Sequence, residues 1–183
     1  MEKDYFIGIV PPPEYLERIE QFQGKWIAKP GVEPHITLKA QGGLTPDEKW
    51  MEAVQRVCEG FTPFPASLEE PKYFGDTILY LSVNSNNLHR LHQKIVQAIS
   101  PTEEEIQQYF EGNDFVPHLT LGKEHYGRNI TDGLSHQQLK EMENAAPLDL
   151  APYPEFEVNF IRVYVLNLDK QKYEKYIDIP LGH

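Results

Sequence analysis

Two tetrapeptides have residue types that could do chemistry: His35-Ile36-Thr37-Leu38 and His118-Leu119-Thr120-Leu121, each directly after a proline. In an extended segment residues i and i+2 project from one face. Each copy would thus present an imidazole beside a hydroxyl while its apolar residues turn into the layer behind. Imidazole, with an unperturbed pKa of ~6.5, can act as a neutral base in one copy and a cationic acid in the other near neutral pH. Cleaving a phosphodiester needs both: a proton leaves the attacking oxygen and another goes to the departing one, each positioned group contributing roughly 10² to 10⁴ in rate. The Thr37 and Thr120 hydroxyls would donate to the non-bridging oxygens, where negative charge grows in the transition state. Two such pairs around one phosphorus need neither metal nor cofactor. Because the two copies are nearly identical, their sequences do not say which histidine is the acid and which the base. One copy alone would read as the polar face of a strand; the repetition at matching places makes the pattern informative.

The elements that must position these pairs also come twice. A β-type run at 5–10 stops at Pro11 to Pro13. The helical spacing of Tyr15, Ile19 and Phe22 follows, then the first tetrapeptide, then a helix expected over 45–60 with a Thr45 cap and Pro46 at its first position, then an extended stretch at 64–73. The order restarts with a strand at 78–83, a helix with Leu88, Leu91, Ile95 and Ile99 on one face, the second tetrapeptide, a helix near 135–145 and a long strand at 156–166, closed by an extended segment at 175–179. The acidic, polar stretch 101–113 reads as a mobile insertion. These signals predict a single domain over 1–183, built from approximate repeats 5–75 and 78–168. Its class would be α+β: a bilobed pseudo-twofold fold with two antiparallel or mixed sheets flanked by helices and a cleft between the lobes.

Length and composition bound the partners. A chain of 183 residues suits one folding unit, and 40% hydrophobic with 25% charged residues excludes disorder and fibres. No apolar run approaches the roughly 20 residues that span a bilayer, and the one cysteine, Cys58, cannot form an internal disulfide. These features predict a cytoplasmic protein without a membrane partner, expected to be a monomer. The net charge of −11 would repel long duplex nucleic acid, whose binding depends on many cations releasing counterions.

Around the tetrapeptides, Lys39 shares the face of His35 and Thr37 by simple alternation, and Lys123 follows Gly122; both are candidate phosphate contacts. Phe115, three residues before His118, is the best placed of several aromatics (Tyr5, Phe6, Tyr73, Phe74, Tyr164) to stack on a base. Arg162 and Tyr164 share a strand face that could reach substrate. His89 and His92 read as a solvated helix face, and His125, His136 and His183 as surface residues. Glycine-rich phosphate loops are absent.

The two motifs, PHITLK at 34–39 and PHLTLGK at 117–123, together with the repeated element order, resemble the 2H phosphoesterase superfamily, whose signature is two His-hydrophobic-Thr/Ser-hydrophobic motifs in a bilobed α+β fold. The resemblance covers most of the chain. It implies metal-independent attack on a 2',3'-cyclic or 2'-5' phosphodiester, with His35, Thr37, His118 and Thr120 in the catalytic roles above and a small phosphodiester, nucleotide or RNA terminus as partner. The alternative is a binding module that holds a nucleotide or RNA end in the same pocket without turnover.

Overall fold

The computed structural model describes residues 3–124 and 133–182; His125 and His183 lie outside them. Among the described residues, strand β1 (Tyr5–Ile9) is followed by helix α1 (Pro13–Gln23), β2 (Ile36–Lys39), α2 (Met51–Glu59), β3 (Phe64–Phe74), β4 (Ile78–Asn84), α3 (Asn86–Ile99) and α4 (Glu103–Gln108). Then come β5 (His118–Glu124), β6 (Gly133–Leu134), α5 (His136–Leu150), β7 (Glu155–Val158), β8 (Phe160–Asn167) and β9 (Lys172–Pro180).

The strands lie in the order β7-β3-β4-β5-β2-β1-β8-β9, with β6 alongside β5. Neighbours are antiparallel except the short β5–β6 pair. The expected α+β class is the one observed, and its two expected sheets are hydrogen-bonded into one: β2 and β5, the two motif strands, meet through the single register pair Ile36↔Leu119. Along that order four strands lie on either side of the junction, with β6 in addition on the β5 side. The sequence repeats are interleaved in space, because β3 pairs with β4 in one lobe while β8, from the second half of the chain, pairs with β1 in the other.

One face of the sheet is covered by helices. Tyr15, Ile19 and Phe22 of α1, Leu88, Leu91 and Ile95 of α3, and Leu139, Met142, Ala146 and Leu150 of α5 pack with Tyr5, Ile7, Ile9, Ile36, Leu38, Leu119 and Leu121 of the sheet. Burying each large aliphatic side chain contributes roughly 1.5 to 3 kcal/mol before entropy is counted. Ser85 caps α3 through the Leu88 amide, and Ser135 and Gln138 close a reciprocal capping box on α5. The uncovered face carries the motif side chains.

Three segments differ from their sequence reading. The helix expected from Thr45 begins only at Met51, because the Thr45 hydroxyl bonds Asp47 rather than a helix amide and Glu48 is left-handed at φ 61°. The single strand expected at 156–166 divides at Asn159 into β7 and β8, which belong to opposite lobes. The stretch 101–113 is not a loose insertion: a Thr102–Glu105 capping box starts α4, and Glu111 is buried in an ion pair with Lys39.

Candidate active site

Both motif histidines are held alike. His35 Nδ1 lies 2.8 Å from the Glu33 carbonyl oxygen, and His118 Nδ1 lies 2.8 Å from the Val116 carbonyl oxygen. A carbonyl can only accept, so each Nδ1 carries the proton and each neutral ring keeps its lone pair on Nε2. Among the described residues neither Nε2 has a protein partner. The proline between acceptor and histidine explains the shared geometry: it holds the preceding residue extended, so that its carbonyl turns back toward the ring two positions on. Both prolines, Pro34 and Pro117, are buried.

Each imidazole also rests on a stacked aromatic pair. Phe6 and Tyr164 stack at 4.7 Å, and the His35 ring sits 5.0 and 5.6 Å from them. Phe74 and Tyr80 stack at 4.2 Å, with the His118 ring 4.8 and 5.3 Å away. Burial pushes both histidines below the ordinary imidazole pKa. For His35 the Glu33 carbonyl and carboxylate oppose the shift, while the nearby His118 adds to it; for His118 only the Val116 carbonyl opposes it. A carboxylate thus acts on one ring and, among the described residues, has no counterpart at the other.

Matching β-bulges decide where the two lysines go. Thr37 pairs with Gly8 but Lys39 with Ile7, so Leu38 and Lys39 together oppose one position. In β5, Thr120 pairs with Tyr80 but Gly122 with Leu79. Such a bulge places two successive residues on the same side and shifts the alternation by one. Lys39 therefore turns away from Thr37 to the core side, where its ammonium lies 2.8 Å from Glu111 and 2.7 Å from the carbonyl oxygens of Ala40 and Gly42. It is fully buried, so the phosphate contact expected of it is corrected to a structural ion pair. Gly122 takes the corresponding inward place, where a Cβ would come within 2.8 Å of Leu134 and 2.9 Å of Met142. The same shift returns Lys123, opposite Ile78, to the face of His118 and Thr120, where it is exposed.

Arg162 and Tyr164 act on the site from behind. The Arg162 guanidinium bonds Asp178 and, at 2.6 Å, the Glu33 carboxylate, which also accepts from the Tyr164 hydroxyl at 2.8 Å. Both side chains thus fasten the residue whose carbonyl orients His35 and do not reach into the cleft as expected. Phe115 stacks at 3.8 Å on His92. His92 itself is buried, against its reading as a solvated residue: Nδ1 donates to the Leu38 carbonyl at 2.7 Å and Nε2 accepts from the Gly112 amide at 3.0 Å. Both ring nitrogens are occupied. Among the described residues no group of three or more His, Cys, Asp or Glu side chains is arranged to hold a metal ion. His136 is exposed, beside Glu124.

Sequence reasoning missed Glu33, the aromatic Tyr80 and Gln23, whose amide donates to the Leu121 carbonyl at 3.0 Å and ties α1 to the second motif. The Pro-His dipeptide in both motifs was the available signal for the carbonyl clamps. Nothing local marks Gln23, which is 98 positions from its partner.

The cleft consists of two cavities meeting at His118 and Ile78. One, of about 270 Å³, is lined by His35, His118, Thr120 and Lys123, with Gln23 and Glu33 at its wall. The other, of about 550 Å³, takes in Thr37 and His118 and is walled mainly by apolar side chains. Among the described residues, two imidazoles whose Nε2 atoms have no protein partner, a hydroxyl from each motif and the exposed Lys123 ammonium line the cleft; with one ring neutral and the other protonated they can move protons to and from an anionic ester and bond its oxygens.

A family model described as the 2'-5' RNA ligase superfamily matches residues 11–170. Among similar proteins, "Putative phosphoesterase GK0864" of Geobacillus kaustophilus is 25% identical over 151 residues, covering 79% of this chain and 83% of that protein. Among solved structures, TT0787 of Thermus thermophilus superposes with a TM-score of 0.67 at 18% identity over 100% of both chains. E. coli LigT complexed with phosphate gives 0.59 at 15% identity over 100% and 99%. LigT complexed with 3'-AMP gives 0.60 at 15% identity over 99% of each chain. At these identities the structural likeness shows the fold.

Proposed function

Because the chain belongs to the 2'-5' RNA ligase superfamily and is a phosphoesterase in kind, we propose that it opens a 2',3'-cyclic or 2'-5' phosphodiester by paired histidine acid–base catalysis without a metal. The observation carrying this reading is the matched Nδ1 clamp, which leaves the Nε2 of each motif histidine beside one cavity without a partner among the described residues. Burial lowers both imidazole pKa values, and the Glu33 carboxylate opposes this at His35 alone; on that asymmetry we assign His35 as the acid and His118 as the base. His118 Nε2 takes the proton of a water whose oxygen bonds to phosphorus. The ester oxygen leaves phosphorus with its electron pair and takes a proton from Nε2 of His35 in its imidazolium form, which returns to the neutral ring protonated on Nδ1. Thr37 and Thr120 donate to the non-bridging oxygens and Lys123 offsets their charge. The same groups run the reverse proton transfers in ligation. That LigT has been crystallised with phosphate and 3'-AMP supports a small nucleotide or RNA end as substrate.

The test is incubation with 2',3'-cyclic nucleotides, cyclic-ended oligonucleotides and 2'-5' linked dimers in the presence of EDTA. Product is expected from at least one class, and His35→Ala and His118→Ala should each lose at least ~10²-fold in kcat/KM. Saturable binding without product would establish the binding module instead, and abolition by EDTA would overturn the metal-free mechanism.

A further inference from the structure

Gln23, the last residue of α1, reaches the place where the two motif strands part. Strands β2 and β5 share one register pair, Ile36↔Leu119. Beyond it the Gln23 side chain donates to the Leu121 carbonyl at 3.0 Å and, more weakly, to the Thr120 carbonyl at 3.4 Å. Both acceptors are carbonyl oxygens, so Nε2 faces the strand and Oε1 takes the other branch of the planar amide. Among the described residues no protein group donates to Oε1. Every fully buried side-chain nitrogen or oxygen among them does have a hydrogen-bond partner, so Oε1 is open to solvent. Gln23 is half-buried and lines the 270 Å³ cavity together with His118 and Thr120. Tying down two carbonyls requires only a donor. The amide brings an acceptor as well.

An attacking water has two protons. His118 Nε2 takes one, and the aim of the oxygen's lone pair at phosphorus then depends on how the other is held. The remaining polar side chains of this cavity are otherwise engaged. Lys123 can only donate, Thr120 donates to a phosphate oxygen in the reading above, and the Glu33 carboxylate is bonded by Arg162 and Tyr164. Gln23 Oε1 is an uncharged acceptor on the strand side of His118, so it adds no repulsion against an anionic ester. An alcohol has a single hydroxyl proton. With that proton on His118, its carbon would lie where the second proton of water finds Oε1.

Resting on the phosphodiester reading above, with His118 as base, we infer that Gln23 is a further catalytic residue, whose Oε1 accepts a hydrogen bond from the second proton of the attacking water and makes water the preferred nucleophile over an alcohol. The bond from the water oxygen to phosphorus forms as the bond to the ester oxygen breaks. His118 gains a proton and His35, as the imidazolium, gives one up. The proton facing Gln23 stays on its oxygen and becomes the hydroxyl of the phosphate monoester.

The full chain as wild type, Gln23→Lys and Gln23→Ala is incubated with 2',3'-cyclic nucleotides, cyclic-ended oligonucleotides and 2'-5' linked dimers in water containing methanol, and monoester and methyl ester are quantified in the same reaction. Gln23→Lys keeps a donor for the two carbonyls and removes the acceptor, whereas Gln23→Ala removes both. Hydrolysis should lose ~10-fold or more in kcat in each variant, and the ratio of methyl ester to monoester should rise by ~10-fold, because methanol has no second proton to be held. That ratio is internal to one enzyme, so a loss of folded protein or a weaker base lowers both products together. A ratio unchanged from wild type in either variant would overturn the inference, leaving Gln23 a structural tie and the phosphodiester reading intact. A wild type that forms neither product would overturn that reading and the inference with it.

Discussion

Glu33 serves His35 twice: its backbone carbonyl accepts the Nδ1 proton at 2.8 Å, and its carboxylate, fastened by Arg162 and Tyr164, stands close enough to favour the imidazolium. Val116 gives His118 only the first of these services. Glu33→Gln keeps the carbonyl and removes the charge, so His35 should lose its proton at lower pH. If His35 is the acid, the alkaline limb of the kcat/KM profile against pH moves down while the acidic limb stays. Movement of the acidic limb instead would reverse the assignment of roles, and an unmoved profile would show that the carboxylate does not act on the ring.

Lys123 is the cation that the second bulge brings to the face of His118 and Thr120. Lys123→Ala should raise KM for an anionic substrate by about 3- to 10-fold, with a smaller loss in kcat, and the difference from wild type should shrink as salt is added, because an exposed charge is screened. Stability should change by less than about 0.5 kcal/mol, since the residue is exposed. A KM that does not respond, at low salt as at high, would remove this lysine from the site.

These two lysines show where sequence was legible and where it was not. The paired motifs, the α+β class and the helix faces follow from residue type and period, which are local properties. The bulges do not: His-x-Thr-Leu reads as plain alternation, and only the partner strands, with Ile7 opposite Lys39 and Ile78 opposite Lys123, reveal that the face changes after each threonine. Simple alternation therefore placed Lys39 in the cleft. Likewise His92 has the neighbours of a surface histidine, and its partners Leu38 and Gly112 are 54 and 20 positions away. The Phe156–Leu166 run is continuous in hydrophobic pattern yet split between lobes at Asn159, a choice made by pairing and not by propensity.

The Lys39–Glu111 pair closes the segment before the second motif onto the strand of the first, with both side chains essentially excluded from water. Removing one partner leaves an uncompensated buried charge, whereas removing both need not. Lys39→Met should lower unfolding stability by roughly 3 to 5 kcal/mol, read from urea denaturation, and Lys39→Met with Glu111→Leu should recover most of that loss. A harmless single substitution would mean that the ion pair is open to solvent.

His92 joins the two motifs from beneath, bonding the carbonyl of the bulged Leu38 and the amide of Gly112 while its ring supports Phe115. Burial pushes its pKa down to about 4, with the Leu38 hydrogen bond opposing and the Lys39 charge assisting. A protonated ring could no longer accept from Gly112. Since the folded value lies below the unfolded value of ~6.5, the unfolded chain binds more protons in between. The neutral ring's contribution is therefore complete above about pH 6.5 and is lost as pH falls toward 4, up to roughly 3 kcal/mol. His92→Gln can keep a donor and an acceptor but cannot titrate, so the stability difference between wild type and variant, followed by denaturant unfolding from pH 7.5 to 4.5, should shift in the variant's favour across that window. Parallel losses in the two proteins would show that His92 does not fold as a buried neutral ring.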